Sequence, residues 1–402
     1  MELHLQFGYG MMEHCRALVD EWGGGTVILS PRDLTQEQLE RLGDSILRLD
    51  GGAVLLDPQF YLPHADHERL CAHDYWPGNY QTGAFFSGPQ LATLIQKLAA
   101  LNQRLGCTSF VLPGMLAPDI SDDWLATQKM VLDEARALNS PVPLFQTIAL
   151  SESAVTRTDG IGKLLDWAAA NPADGYYMVC EHADGKYLVE NPIWLANVLD
   201  IAAGLKLLGA KIILGYCNHQ MLVASCAKVD AIASGTWMNV RSFPPEKFKS
   251  ALDDEVRQRA TWYYCPQALS EYKLPFLDIA QRFGLLNLMA PTTEMPKSAA
   301  IQALFGGAQP TTVGLTEQAA FRHYLSCLKG QTESSVAASF DETVALHNGL
   351  LDVAESLLTR LGSAQVSGQL RDFRNVVDSN RAALGVLVQD RGVILRRRWA
   401  QL

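Results

Sequence analysis

Short apolar runs recur along the first 240 residues, with segments of helical period between most of them. The runs are LHLQFGYG, TVILSPR, AVLLDPQFY, TSFVLPG, PLFQTIAL, GYYMVCEH, KIILGYCN and DAIASGTW. Strand-like runs alternating with amphipathic segments are the pattern of βαβ units and a parallel sheet. Eight such strands close a barrel, so the sequence predicts an α/β fold, a (β/α)8 TIM barrel. Two intervening helices are legible at their ends: LTQEQLERLGDSILRL opens after a cap region at Asp33, and PIWLANVLDIAAGLKLLG runs to a glycine stop.

After Phe243-Pro244-Pro245 the strand signals fade. The remainder reads as helices, EQAAFRHYLSCLKG, FDETVALHNGLLDVAESLLTRLG and SGQLRDFRNVVDSNRAALGVLVQ, with MAPTTEMPKSAAIQALFGGAQPTTVGL as a connector. This divides the chain into a barrel over 1–250 and a helical C-terminal extension over 251–402. Between the third and fourth strands the gap from Leu62 to Gly106 is long. Its portion HADHERLCAHDYWPGNYQTGAFF is rich in His, Gly and aromatic residues, as functional lids often are.

Composition narrows the functional classes. The 402 residues exceed the roughly 250 that a barrel needs, which leaves room for the extension. No run reaches about 18 apolar residues, and the start lacks a basic and apolar leader, so a soluble cytoplasmic protein is expected. The eight cysteines are scattered without a CxxC, so no disulfide framework is expected. A net charge of −10 argues against nucleic-acid binding, which depends on neutralising phosphates. The run Arg391, Arg396, Arg397 and Arg398 is the local exception and offers either an anion contact or a solvated helix end.

In a parallel barrel the strand C-termini converge on one face. The residues placed there are Arg32 and Asp33, then Asp57, Gln59 and Tyr61, then Gln146. Later strands add Glu181 and His182, Asn218 and His219, and Ser234, Thr236, Trp237, Asn239 and Arg241. Asp57 stands out: Ala53 to Leu56 run directly into it, and Pro58, Gln59 and two aromatics follow. A carboxylate in such a pocket could hold a planar N–H donor edge or act as a base; the plainer reading is a turn cap. Glu181 with His182 suits acid–base chemistry, binding of an exocyclic amine, or a surface ion pair. Ser234 to Thr236 suit a phosphate held by backbone N–H groups. His64, Asp66, His67, Glu68, Cys71, His73 and Asp74 have metal-ligating chemistry, but their spacing fits no standard zinc pattern.

Taken in order, the eight strands resemble the tRNA-guanine transglycosylases, barrel enzymes that handle guanine and 7-deazaguanine bases. Asp57 in AVLLDPQFY corresponds to the aspartate ending that family's third strand. Leu144-Phe145 with Gln146, Gly175-Tyr176, the glycine turn of ILGYCN, Val229-Asp230 and Arg241 follow the later strands, Gln146 out of register and Arg241 as a loose counterpart. FRHYLSCLKG and VALHNGLLDV resemble two helices of the family's C-terminal part. The departures are equally informative. Ala233 stands where the family keeps its nucleophilic aspartate, and of the zinc ligands only His323 remains.

A zinc-free relative without the nucleophile resembles the ancillary component of some CBASS anti-phage operons. The resemblance then implies recognition of a 7-deazaguanine carried by a protein partner, the CD-NTase, with no cofactor and no metal. Asp57 and Glu181 would meet the donor edge of the base, and Tyr61 or Trp237 would stack on it. Two alternatives remain at this level. One is an active transglycosylase in which Asp57 or Glu181 serves as nucleophile or base. The other is an unrelated lyase or isomerase holding a phosphate at Ser234 to Thr236. The apolar helix faces of the extension also suit a homodimer.

Overall fold

A computed structural model describes residues 1–78, 80, 85–249, 260–292 and 298–402. The expected boundary at 250/251, and parts of the expected lid and connector (79, 81–84 and 293–297), lie outside the described residues. Nine strands precede residue 235: β1 (Glu2–Gln6), β2 (Gly25–Leu29), β3 (Gly52–Leu56), β4 (Phe110–Val111), β5 (Leu116–Ala117), β6 (Leu144–Leu150), β7 (Gly175–Cys180), β8 (Lys211–Leu214) and β9 (Ala231–Ser234). All eight predicted runs carry a strand. The additional one, β5, continues β4 along β6, so Pro113 and Gly114 split the fourth barrel strand into two short pieces. Proline has no N–H for the ladder, which explains the break.

The sheet is parallel throughout, in the order β3-β2-β1-β9-β8-β7-β6-β4. Its two edges meet where the Thr108 N–H donates to the Val54 carbonyl at 3.1 Å. The strands curl into the predicted TIM-barrel-like arrangement with helices around them. Helix Gln36–Leu47 starts at Thr35, whose side chain and Gln38 form a capping box. The cap is thus Thr35 rather than the region of Asp33, whose carboxylate accepts from Ser30 and pairs with Arg32 instead. Helix Pro192–Leu207 stops just before Gly209, which takes φ +92°.

The extension differs from the all-helical expectation. An antiparallel hairpin, β10 (Trp262–Cys265) and β11 (Ser270–Lys273), precedes its helices. Bulky aromatic residues in WYYC favour a pleated, half-buried surface, and Tyr263, Tyr264 and Tyr272 are all buried. Three long helices follow: Glu317–Glu333, Phe340–Ser363 and Val377–Arg398. The last begins ten residues after the predicted segment does, because Asp372 accepts from the Gly368 and Arg374 N–H groups and holds a turn there.

Helix Val377–Arg398 lies along helix Pro192–Leu207 of the barrel. Arg391 pairs with Asp200 at 2.6 Å, Arg398 donates to the Leu207 carbonyl, and Arg396 pairs with Asp341. Arg391 and Arg398 therefore tie this helix to the barrel, which corrects both the anion and the solvated-end expectations for these two, while Arg396 and Arg397 stay exposed at the helix end. Buried residues of barrel and extension form one continuous apolar core. No helix among the described residues is long and apolar enough to cross a membrane.

Candidate functional site

Strand register decides which side chains enter the barrel. Side-by-side partners in a parallel sheet face the same way, and successive residues alternate. Gln6 pairs with Ile28 and Leu55 with Ile28, so Gln6, Ser30 and Asp57 share the interior face. Tyr177 does too, since its hydroxyl donates to the Gln6 Oε1 at 2.9 Å.

These side chains converge on the Asp57 carboxylate, which is 1% exposed. The Oδ1 accepts from the Gln59 N–H at 2.9 Å and the Tyr61 hydroxyl at 2.8 Å. The Oδ2 accepts from Tyr216 at 2.7 Å, Tyr61 at 2.9 Å and Tyr177 at 3.4 Å. Burial pushes the Asp57 carboxyl above its ordinary range, opposed by the bonds from Tyr216, Gln59 and Tyr61. The three tyrosines are held well above their usual value, by burial first and then by the neighbouring carboxylate. The hydroxyls therefore stay protonated donors.

Gln59 extends the network: its Nε2 donates to Ser30 at 2.8 Å and to the Tyr216 hydroxyl at 3.1 Å, and its Oε1 accepts from the Arg32 N–H. Gln59 and Tyr216 both hold left-handed backbone, with φ of +53° and +56°. Such conformations cost roughly 1–3 kcal/mol each and cluster at functional sites. Gly215 is required beside them, because a Cβ there would lie 2.4 Å from the Tyr177 hydroxyl.

The chain after β9 closes the mouth. Phe243 and Phe248 pack on Tyr61 at 4.9 and 5.0 Å between ring centres. The Lys247 ammonium lies 4.0 Å from the centre of the Tyr216 ring and donates to the Asn239 carbonyl. Burial lowers Lys247 to about 7, with Asp33 opposing. Its backbone carbonyl accepts from Arg32 at 2.8 Å, which fixes this cap to the loop after β2.

A second buried polar cluster joins the barrel to the extension. Arg241 reaches Glu271 at 3.0 Å, Arg371 reaches the same Oε2 at 2.7 Å, and Tyr187 donates to the Oε1 at 2.8 Å. Burial opposes ionisation of Glu271, but Arg371 and Arg241 outweigh it and bring the carboxyl down to about 2. The Arg241 guanidinium also stacks 3.4 Å from the Tyr324 ring centre. Asn218 donates to the Tyr187 carbonyl and caps the turn at Gln220. His219 is enclosed by Tyr187, Tyr264, Tyr324 and Phe373, and burial lowers it to about 4.

The sequence-predicted residues thus separate. Asp57, Gln59 and Tyr61 come together, with Arg32 and Asp33 beside them. Asn218, His219 and Arg241 belong to the second cluster. Gln146 is a correction: it pairs with Tyr176, one residue out of phase with Thr147 and Tyr177, and bonds Gln128 on helix Asp122–Ala137, outside the barrel. The Glu181 carboxylate accepts from the Glu152 N–H, and the Glu181 carbonyl accepts from Trp194. His182 bonds the Lys186 carbonyl and is lowered by burial to about 4, so it is neutral. None of these bonds reaches Asp57, although Glu181 pairs through its backbone with Phe243 of the mouth. The Trp237 indole donates to the Tyr9 carbonyl and its ring meets Phe321 of the extension. Ser234 and Thr236 are buried, and a Cβ on the intervening Gly235 would lie 2.5 Å from the Gln6 carbonyl, so the loop is packed rather than open to a phosphate.

Ala233, at the nucleophile's place in the resemblance, is buried in β9 opposite His4. His73 bonds the carbonyls of Pro31 and Leu34, and His323 that of Tyr264. Among the described residues no cluster of three or more His, Cys, Asp or Glu is arranged to hold a metal. Sequence reasoning missed Tyr177, Tyr216 and Lys247 at the mouth, and Glu271, Arg371, Tyr187 and Tyr324 in the second cluster. Tyr216 carried a signal in its place directly after a strand-ending glycine.

No known family model matches the chain, and no curated protein matches it. Solved structures do match; one is the carboxyl transferase domain from Rhizobium etli pyruvate carboxylase. It is 11% identical, covers 95% of this chain and 78% of that chain, and has a TM-score of 0.33. A likeness at that score carries no argument about function.

Proposed function

We propose that the barrel mouth recognises a planar nucleobase of the 7-deazaguanine type, presented on a protein partner, the CD-NTase, in cytoplasmic anti-phage defence of the CBASS kind. The observation that carries this reading is the buried Asp57 carboxylate ringed by donors and aromatic walls at the C-terminal end of β3. A buried acceptor of this strength suits paired N–H donors, and the flat walls suit a π-system. The partner and the defence setting rest on the resemblance to transglycosylase-like proteins alone.

Recognition is favoured over base exchange. Exchange through a covalent intermediate needs a nucleophilic carboxylate, and Ala233 stands where the resemblance places one. Native mass spectrometry tests the reading. The protein should form a complex with a CD-NTase bearing the base and none with the unmodified enzyme. Equal binding to both forms would contradict it, and labelled guanine entering tRNA or DNA would restore the exchange reading.

A further inference from the structure

We propose that Tyr216 sits, from within the chain, in the seat of the ligand, and that a planar heterocycle with an N–H donor beside a carbonyl acceptor takes its place. This inference rests on the reading of Asp57 as the ligand-binding carboxylate and names the position the ligand occupies.

The phenol meets four kinds of contact, each of which a heterocycle of that class would reproduce. Its O–H donates to Asp57 Oδ2 at 2.7 Å, as a ring N–H would. The same oxygen accepts from Gln59 Nε2 at 3.1 Å, as an adjacent carbonyl would. A cation lies over its face, the Lys247 ammonium, 4.0 Å from the ring centre. Phe243 and Phe248 wall its sides at 5.3 and 6.4 Å between ring centres.

The backbone at this position is strained. Tyr216 is the bulky residue among the mouth's two left-handed positions, at φ +56°, a conformation unusual for large side chains. Rotating the ring out would remove the shortest bond to Asp57 Oδ2 and one of the two acceptors of Gln59 Nε2, whose other bond, to Ser30, remains; both groups could then take a new partner. Tyr61 continues to hold both Asp57 oxygens, so the carboxylate stays positioned while the seat is vacated. A ligand that must first displace an internal group binds with an apparent affinity reduced to the fraction of molecules in the open, competent form.

The test is Tyr216→Gly in the full chain, since glycine adopts the left-handed backbone without strain. The variant should gain thermal stability from p-cresol and none from toluene, which has the same ring and no hydroxyl. It should bind 7-deazaguanine at least about tenfold more tightly than wild type, in competition with p-cresol. If the variant does not fold, Tyr216→Phe serves: losing both hydrogen bonds of the hydroxyl, it should bind roughly five- to a hundredfold more tightly than wild type. Equal affinity of wild type and variants for 7-deazaguanine would place the base elsewhere and overturn the inference, leaving the deazaguanine reading standing. Filling by p-cresol with no competition from 7-deazaguanine, guanine, hypoxanthine or a pterin would overturn it as well. Competition by one of those others alone would keep the seat and remove the deazaguanine reading.

Discussion

Glu271→Ala isolates the interaction that joins extension to barrel. Glu271 and Arg241 are both buried, and Arg371 shares the same carboxylate oxygen. Truncating the acid leaves Arg241 inside the protein with no counter-ion and removes the acceptor of the Tyr187 hydroxyl. Breaking a buried pair by removing one partner costs about 3–5 kcal/mol, because the other charge remains desolvated. With an unfolding entropy of about 2.1 cal/mol/K per residue, a chain of 402 residues should lose roughly 4–6 °C in Tm. Glu271→Gln, which keeps one acceptor oxygen where the acid has two, should lose less. Differential scanning calorimetry reads both. A shift below 1 °C for Glu271→Ala would refute the view that this buried acid carries the junction, as would an alanine variant no worse than the glutamine one.

Three further outcomes follow from groups already placed. His182, His219, His323 and His347 are each lowered to about 4 by burial; the unfolded chain binds their protons from about pH 6.5, so stability should fall as pH drops from 6.5 to 4. Each contributes at most about 1.4 kcal/mol per pH unit, and denaturation of His219→Phe should show a shallower slope; an identical slope counts against its burial as a neutral ring. Lys247 is lowered to about 7 against 10.5 when free, so its contribution to stability rises with pH from 7 to 10.5. Lys247→Met should therefore exceed wild type in denaturant midpoint at pH 7, with the gap closing towards pH 10; a constant gap would reject the buried ammonium. Gly215→Ala would set a Cβ 2.4 Å from the Tyr177 hydroxyl and should cost about 1–3 kcal/mol by overpacking, read as a lowered Tm; an unchanged Tm would mean that Tyr177 is free to yield.

The barrel was legible because each strand is an apolar run bounded by turn residues, and Asp57 because the run ending at Leu56 meets a carboxylate and a proline. Facing was not legible. Strands β6 and β7 are buried on both sides, so their sequences show no alternation to separate Gln146, which faces the helices, from Tyr177, which faces Asp57. The register supplies that distinction, and register is a tertiary property. The second cluster was missed for a different reason. Glu271 lies in a hairpin whose short strands sit inside a chain segment of helical character, and its partners Arg241 and Arg371 are 30 and 100 residues away.

The central claim is that Asp57 receives the N–H edge of a planar base. Isothermal titration of 7-deazaguanine, free and on a peptide N-terminus, against wild type and Asp57→Asn measures it directly. Asparagine keeps the shape of the side chain, so the three tyrosines lose little packing while the ligand loses a charged acceptor, worth about 1.5–3 kcal/mol. The account predicts one site per chain in wild type and affinity weakened roughly ten- to a hundredfold in the variant. Equal affinity in both proteins, or no binding to wild type, would contradict it.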